Sequence, residues 1–402
     1  MFSLDYQGLY NEKLERKVKV KKVYDKFKYF IDNNSYALFK TMSKENVKEI
    51  LSTSEYVKKH FTDMIVVGIG GSSLGTQALL NALEGKQNSV KVHILDNVDC
   101  DYVKSFLSKI DLTKTCFNFV SKSGKTVEVL SILQIVKNLL RTKTNIKKQV
   151  IITTTNQKSP LMDWAEEYKV KKLFMQSEIV GRFSGLSAVG LFPCAVVGID
   201  IEKILEGANS VLSTLLNPVS ENEVLKFSIL QTYMMKKGKF DLTILPYANK
   251  LESMFIYYAQ TLAESLGKVE NCPSATVMVG ANFQHSFFEQ VLQGRDFRYT
   301  MLVKLEEFNN DYSLGENEIL NSSCKNLSDI IKAECIATLQ TLQKHNRPSF
   351  LMSVEKIDEE SVGKLFTFMQ MTICCTGLIL GIDAFSQPSV EELKKNIHAL
   401  IK

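Results

Sequence analysis

The stretch from Tyr258 to His285 holds the side chains best suited to moving protons: Gln260, Glu264, Lys268 and His285. The apolar and small residues between Leu251 and Leu266 recur at helical spacing, so Gln260 and Glu264, one turn apart, fall on the same helix face. After Lys268 the chain turns at Asn271, Cys272 and Pro273, passes through a β-like segment from Ala275 to Val279, and bends at Gly280 and Asn282, so that His285 opens a second helix. A carboxylate that can move a carbon-bound proton, with an imidazole that can move an oxygen-bound one, makes the working pair of an isomerase. The plainer alternative is an ordinary surface glutamate and an ordinary core or surface histidine, so the surrounding motifs have to decide.

Two glycine-rich stretches invite a nucleotide and do not fit one. In GIGGSSLG, Gly68 to Gly75, the third glycine of a dinucleotide fingerprint is Ser73, and in SKSGKT, Ser121 to Thr126, Phe119 stands where a P-loop needs its first glycine. Both stretches instead follow the order strand, Gly/Ser turn, helix. Hydroxyls and unpaired N–H groups at a helix start hold a phosphate by hydrogen bonds and by the positive end of the helix dipole. Ser72 and the cluster Ser121, Lys122, Ser123 and Thr126 around Gly124 are therefore candidates for binding a phosphate monoester, the alternative being simple helix caps. Arg182 lies in GRFSGLSAVGLFP, a stretch that otherwise reads as buried, and a buried arginine needs an anionic acceptor, from a ligand or from an internal salt bridge. Near the end, Gln387 and Lys394 of FSQPSVEELK are spaced to line one side of a last amphipathic helix.

These residues need a scaffold, and the rest of the chain supplies its pattern. Apolar runs at 63–71 (ending in a glycine turn), 90–95, 116–120 and 149–153 alternate with helical segments at 44–60, 74–83, 101–110 and 126–140. A second round has strands at 241–245, 275–279, 299–304 and 349–354. Strands alternating with helices predict parallel sheets covered on both faces. At 402 residues the chain exceeds one core. The expected division is an N-terminal helical segment over 1–45, a first domain over 46–200 and a second over 201–402. The uncharged run from Leu365 to Ile382 is at the lower edge of a membrane span, but Gln370, three threonines and two glycines dilute it, and it reads as a core helix. The net charge of +5 comes from dispersed lysines, which excludes a basic nucleic-acid face. Eight cysteines without a Cys-x-x-Cys pair, and a charged start lacking a signal peptide's apolar core, point to free thiols in the cytoplasm. No His/Cys cluster has metal-ligand spacing, so neither metal nor cofactor is expected.

Taken together, VGIGGSSLG, VSKSGKTVE, VGRFSGLSAVGLFP, QTLAESLGK with FQHSFFEQ, and FSQPSVEELK resemble, in order and over roughly residues 62–395, the glucose-6-phosphate isomerase family. The resemblance implies an α/β fold of two sugar isomerase (SIS) domains, each a mostly parallel sheet between helices. It implies interconversion of glucose 6-phosphate and fructose 6-phosphate, a step of glycolysis and gluconeogenesis, through ring opening and a cis-enediol. By residue, it implies Glu264 as the base with Gln260 beside it, and Arg182 stabilising the enediolate. His285 and Lys394 would act at ring opening, with His285 reaching the site of the neighbouring subunit of a homodimer. Ser121, Lys122, Ser123 and Thr126 would hold the phosphate, and Ser72 and Gln387 would make further substrate contacts. Two positions depart from the family pattern: Lys125 stands where many relatives carry Thr or Ser, and Ser389 replaces the glycine of FxQxGVExxK. A non-catalytic sugar-phosphate regulator and an isomerase of a related sugar phosphate are the competing expectations.

Overall fold

Short runs rich in apolar and β-branched residues become strands. In a computed structural model describing residues 2–16, 18–32, 38, 42–85, 90–315, 319–320 and 322–401, ten such runs form two sheets. The strands are β1 Phe2–Asp5, β2 Asp63–Val67, β3 Lys91–Leu95, β4 Thr115–Val120, β5 Val150–Thr154, β6 Lys171–Phe174, β7 Asp241–Pro246, β8 Ser274–Val277, β9 Arg298–Leu305 and β10 Ser349–Val354. The first sheet has the order β3-β2-β4-β5-β6 and is parallel throughout. The second has the order β1-β10-β9-β7-β8, parallel except for β1, which pairs antiparallel with β10.

Two compact units follow. One comprises Phe30–Leu212 and Ile357–Phe366 and holds the first sheet, and the other comprises Met1–Tyr29, Ser213–Lys356 and Thr367–Lys402 and holds the second. The division is interleaved, whereas the sequence pattern suggested one cut near residue 200. Its cause is visible where helix Ile201–Leu212 meets the start of helix Glu359–Leu380: a Cβ on Gly207 would lie 2.0 Å from the Glu360 carbonyl oxygen, and one on Gly363 would lie 2.0 Å from that of Ile204. The two backbones touch, which binds 357–366 to the unit that ends at Leu212.

The N-terminus also differs from the helical segment expected over 1–45. Residues 2–5 form an edge strand, and Phe2 packs its ring 4.9 Å from that of Phe368. Helices Glu12–Glu15 and Val20–Asp32 follow, while 33–37 and 39–41 lie outside the described residues. In the first unit, Ile65, Val67, Phe117, Phe119, Val150 and Ile152 pack under Val129, Leu133, Val136 and Leu140 of helix Val127–Leu140. In the second, Leu245, Leu302 and Leu351 pack with Phe283, Leu339 and Leu342. Helix Glu359–Leu380 is the one described helix long and apolar enough to cross a membrane, and 83% of that stretch is buried within the fold.

Candidate active site

In the first sheet the strand order reverses between β2 and β4, and the loops after these two strands flank the crevice where open α/β sheets take their ligands. Ser72 follows β2 in a 3-10 turn, Gly70–Ser72, and is half-buried. A Cβ on Gly71 would lie 2.6 Å from the Arg182 backbone nitrogen, so only glycine lets this turn touch the turn that carries Arg182. Arg182 is 1% exposed.

The cradle after β4 is held from behind. Thr154 and Thr155 donate their hydroxyls to the carbonyls of Ser121 (2.6 Å) and Lys122 (3.0 Å). Gly124 has φ +61°, and its N–H donates to Ser121 Oγ at 3.1 Å. Thr126 occupies the N-cap of helix Val127–Leu140 but makes no side-chain capping bond; its hydroxyl lies 2.8 Å from Ser121 Oγ instead. Ser123 is exposed and its Oγ accepts from Lys125 N at 3.2 Å. The Ser121 and Thr126 hydroxyls thus meet each other beside a helix start that Thr126 does not cap, while Ser121 and Ser123 also accept from backbone N–H groups of the loop. Burial pulls the half-buried Lys122 ammonium below its ordinary pKa; Glu178 opposes this, and the charge of Arg182 adds to it. Two cations held within each other's field are what an anionic ligand would relieve. Ser72, Lys122, the cradle hydroxyls and Arg182 therefore belong to one unit and one neighbourhood.

The second unit places the proton-moving candidates. Gln260 and Glu264 share a face of helix Glu252–Leu266 and are both half-buried. Neighbouring side chains lock the helix in the core: Tyr257 OH accepts from Gln370 Nε2 at 2.7 Å, and Tyr258 is 2% exposed. The Gln260 side-chain amide oxygen is buried with no hydrogen-bond donor among the described residues. His285 follows β8 and closes the short helix Gly280–Gln284 as its C-cap, where the sequence suggested that it opened one. The preceding Gln284 donates to Tyr247 OH (3.1 Å) and Thr338 Oγ1 (3.0 Å), while His285 itself is exposed. Gln387 occupies the N-cap position of helix Pro388–Leu400 without a side-chain capping bond, and its amide donates to Glu391 at 2.7 Å; Lys394 meets the same carboxylate oxygen at 2.8 Å. Glu391 was not among the residues singled out from the sequence, although its position between Gln387 and Lys394 on one helix face was the available signal.

Two doubly flanked, mostly parallel sheets, one with a hydroxyl-lined cradle at its switch point, place the chain among SIS-type phosphosugar isomerase folds. The sequence profile of phosphoglucose isomerase matches residues 18–402. A probable glucose-6-phosphate isomerase of Methanococcus maripaludis is 31% identical over 88% of this chain and 82% of its own. A glucose-6-phosphate isomerase of Carboxydothermus hydrogenoformans is 32% identical over 90% and 83%. A crystal structure of a hypothetical protein from Thermus thermophilus superposes with a TM-score of 0.90 at 26% identity, covering 100% of both chains. The chain belongs to the phosphoglucose isomerase family.

Proposed function

We propose that this enzyme interconverts glucose 6-phosphate and fructose 6-phosphate, with Glu264 carrying the proton between C2 and C1. The substrate arrives mainly as a ring, so a proton must leave the anomeric hydroxyl while the ring oxygen gains one; His285 and Lys394 serve this step. Glu264 then removes the C2 proton of the open aldehyde and returns it to C1 on the same face of a cis-enediol. An ordinary glutamate, with a pKa of about 4.3, is already ionised at neutral pH and can begin as the base. Arg182 meets the charge that develops on the enediolate. Ser121, Lys122, Ser123 and Thr126 hold the phosphate, which keeps the sugar in register, with Ser72 and Gln387 making further contacts.

The observation that carries this reading is the helix face of Gln260 and Glu264. A carboxylate stands one turn from a buried amide oxygen that lacks a donor, and a sugar hydroxyl would supply one. The test is an assay of purified protein with fructose 6-phosphate, run beside mannose 6-phosphate, with Glu264→Gln as control. Turnover of the first by the native chain, lost in the variant while a sugar-phosphate inhibitor still binds, supports the reading. Undiminished turnover by Glu264→Gln removes Glu264 as the base, and preference for mannose 6-phosphate changes the substrate.

The chain is further read as a cytoplasmic homodimer in which His285 serves the neighbouring subunit's site, in keeping with its exposure. Mixing Glu264→Gln with His285→Ala chains then restores activity, because each mixed dimer regains one site holding both native groups. Mixtures as inactive as their parents refute the exchange.

A further inference from the structure

Lys268 stood out in the sequence beside Glu264 and Gln260, and the reaction above leaves it without a task. We propose that Lys268 is a positioning residue: it fixes the strap bearing Gln387 and Lys394 to the end of the helix bearing Glu264. The proposal rests on the isomerase reading for its consequences, although the tether itself does not.

Helix Glu252–Leu266 ends at a Gly267 cap, and the Lys268 N–H donates to the Leu266 carbonyl at 2.8 Å. One turn beyond Glu264, the Lys268 ammonium donates to the backbone carbonyl of Asp383 and, at 3.1 Å, to Ser386 Oγ. These acceptors belong to the strap between helices Glu359–Leu380 and Pro388–Leu400. The strap begins at Gly381, with φ +74°, and the Ile382 N–H returns to the Gly377 carbonyl at 2.8 Å, a Schellman ending. A Cβ on Gly377 would lie 3.2 Å from Leu266 Cδ2 and 3.3 Å from Ala384 Cβ, so the last residue of the Glu264 helix and the buried Ala384 of the strap meet across this glycine. The Phe385 N–H bonds the Asp383 carboxylate at 2.9 Å.

Among the hydrogen bonds described for the helix that follows, none from Pro388 to Leu400 reaches another element. None of its side chains from Pro388 to Leu400 is buried, and Leu393 and Leu400 are 58% and 87% exposed. Its direction is therefore inherited from the strap. Lys394 bonds only along its own helix in the hydrogen bonds described, to Glu391, and Gln387 donates to that same carboxylate. Lys268 thus joins two parts of the reaction: the carbon-proton step on its own helix, and the ring-opening step assigned to Lys394. Its charge suits the task, because an ammonium bound to a carbonyl and a hydroxyl makes stronger bonds than a neutral donor.

The experiment compares Lys268→Met, which keeps the stem and removes the donor, with Lys268→Arg and Ser386→Ala. Hydrogen exchange should rise by roughly tenfold or more over 382–400 in Lys268→Met, with helix Glu252–Leu266 unchanged. A strap displaced by about 1 Å lowers kcat by up to about 100-fold with KM less affected. Anomerisation of fructose 6-phosphate, followed by NMR, should slow together with isomerisation in Lys268→Met, whereas Glu264→Gln stops isomerisation and spares anomerisation. Lys268→Arg should recover part of the loss, and Ser386→Ala should show a smaller effect in the same direction. Native exchange over 382–400 in Lys268→Met overturns the tether, and slowed isomerisation with native anomerisation overturns its link to Lys394. If the native chain turns over neither sugar phosphate, the isomerase reading fails while the exchange measurement still decides the tether.

Discussion

Replacing Gly124 by alanine tests the phosphate cradle at the one position where backbone and packing make separate demands. Its φ of +61° places it in the left-handed region, which costs an L-residue about 1–2 kcal/mol. A Cβ there would also lie 2.1 Å from Ser159 Oγ and 2.7 Å from Ser159 Cβ. Rotating the Ser159 hydroxyl away relieves the first contact but gives up its bond from Met162 N at 3.3 Å, the N-cap of helix Pro160–Tyr168, worth about 1 kcal/mol. The second contact involves Cβ and yields only to backbone movement. The expected loss of stability is thus about 2–3 kcal/mol. Movement of the loop also shifts the Ser121 and Thr126 hydroxyls, and losing one charge-assisted bond of about 1.5–3 kcal/mol to the phosphate weakens binding roughly tenfold to a hundredfold. The assays are urea unfolding, the KM for fructose 6-phosphate, and inhibition by inorganic phosphate, which reports on the cradle alone. Adding Ser159→Gly removes the clash and costs only a few tenths of a kcal/mol at the cap. It should therefore recover the packing share and leave the conformational share. Native KM and phosphate inhibition in Gly124→Ala would falsify the cradle assignment, and a double variant no better than the single one would show that the contact with Ser159 is not what the alanine offends.

Three further outcomes follow from the site. Gln260→Met should leave stability unchanged or slightly higher, because it removes a buried oxygen without a donor, while kcat/KM falls; a loss of stability above about 1 kcal/mol in urea would mean that the oxygen is satisfied in the fold. Because burial lowers the Lys122 pKa, phosphate affinity should decline as pH rises through a window that begins below the ordinary lysine value of 10.5, beyond the loss of phosphate's own second proton. In the same window the unliganded chain should gain stability with pH, since the unfolded state then binds the extra proton, and Lys122→Met should flatten both profiles. The bonds from Lys394 and then Gln387 hold Glu391 below the ordinary carboxylate range, so their contribution is present above the unfolded pKa and lost as pH falls through the folded one; an NMR titration should show the Glu391 midpoint rising in Lys394→Met.

What could be read from the sequence was what the local backbone decides. Helix Lys44–His60, the alternating strands, and the face shared by Gln260 and Glu264 all follow from spacing within a few turns. So does the cradle, because a strand, a Gly/Ser turn and a helix are contiguous in sequence. Features whose cause lies far along the chain were not legible. Strand β1 exists because Phe2–Asp5 finds the open edge of β10 and Phe2 finds Phe368, and nothing within Phe-Ser-Leu-Asp announces either partner. Strand β6 is a short edge carrying two lysines, which blunts the apolar signal. The interleaved units rest on Gly207 and Gly363, each unremarkable where it stands and decisive only as a pair.

The same contrast explains how one topology can be used twice for different chemistry. With its strands taken as β8-β7-β9-β10-β1, the second sheet repeats the order β3-β2-β4-β5-β6 of the first, with β1 filling the last place from the opposite direction. In both, the strand order reverses beside the strand that comes first in the round, β2 or β7. In the first sheet the chain leaves β2 through glycines and serines, and it leaves β4 into a helix start that Thr126 does not cap; short side chains and bare N–H groups suit an anion. In the second, the chain leaves β7 toward helix Glu252–Leu266, which carries Gln260 and Glu264 in its second half, and leaves β8 toward His285. Repeated topology thus supplies the same frame twice, and the residues carried by the segments after each strand, not the topology, distinguish the hydroxyl cradle of one sheet from the Gln260, Glu264 and His285 set proposed above for proton transfer.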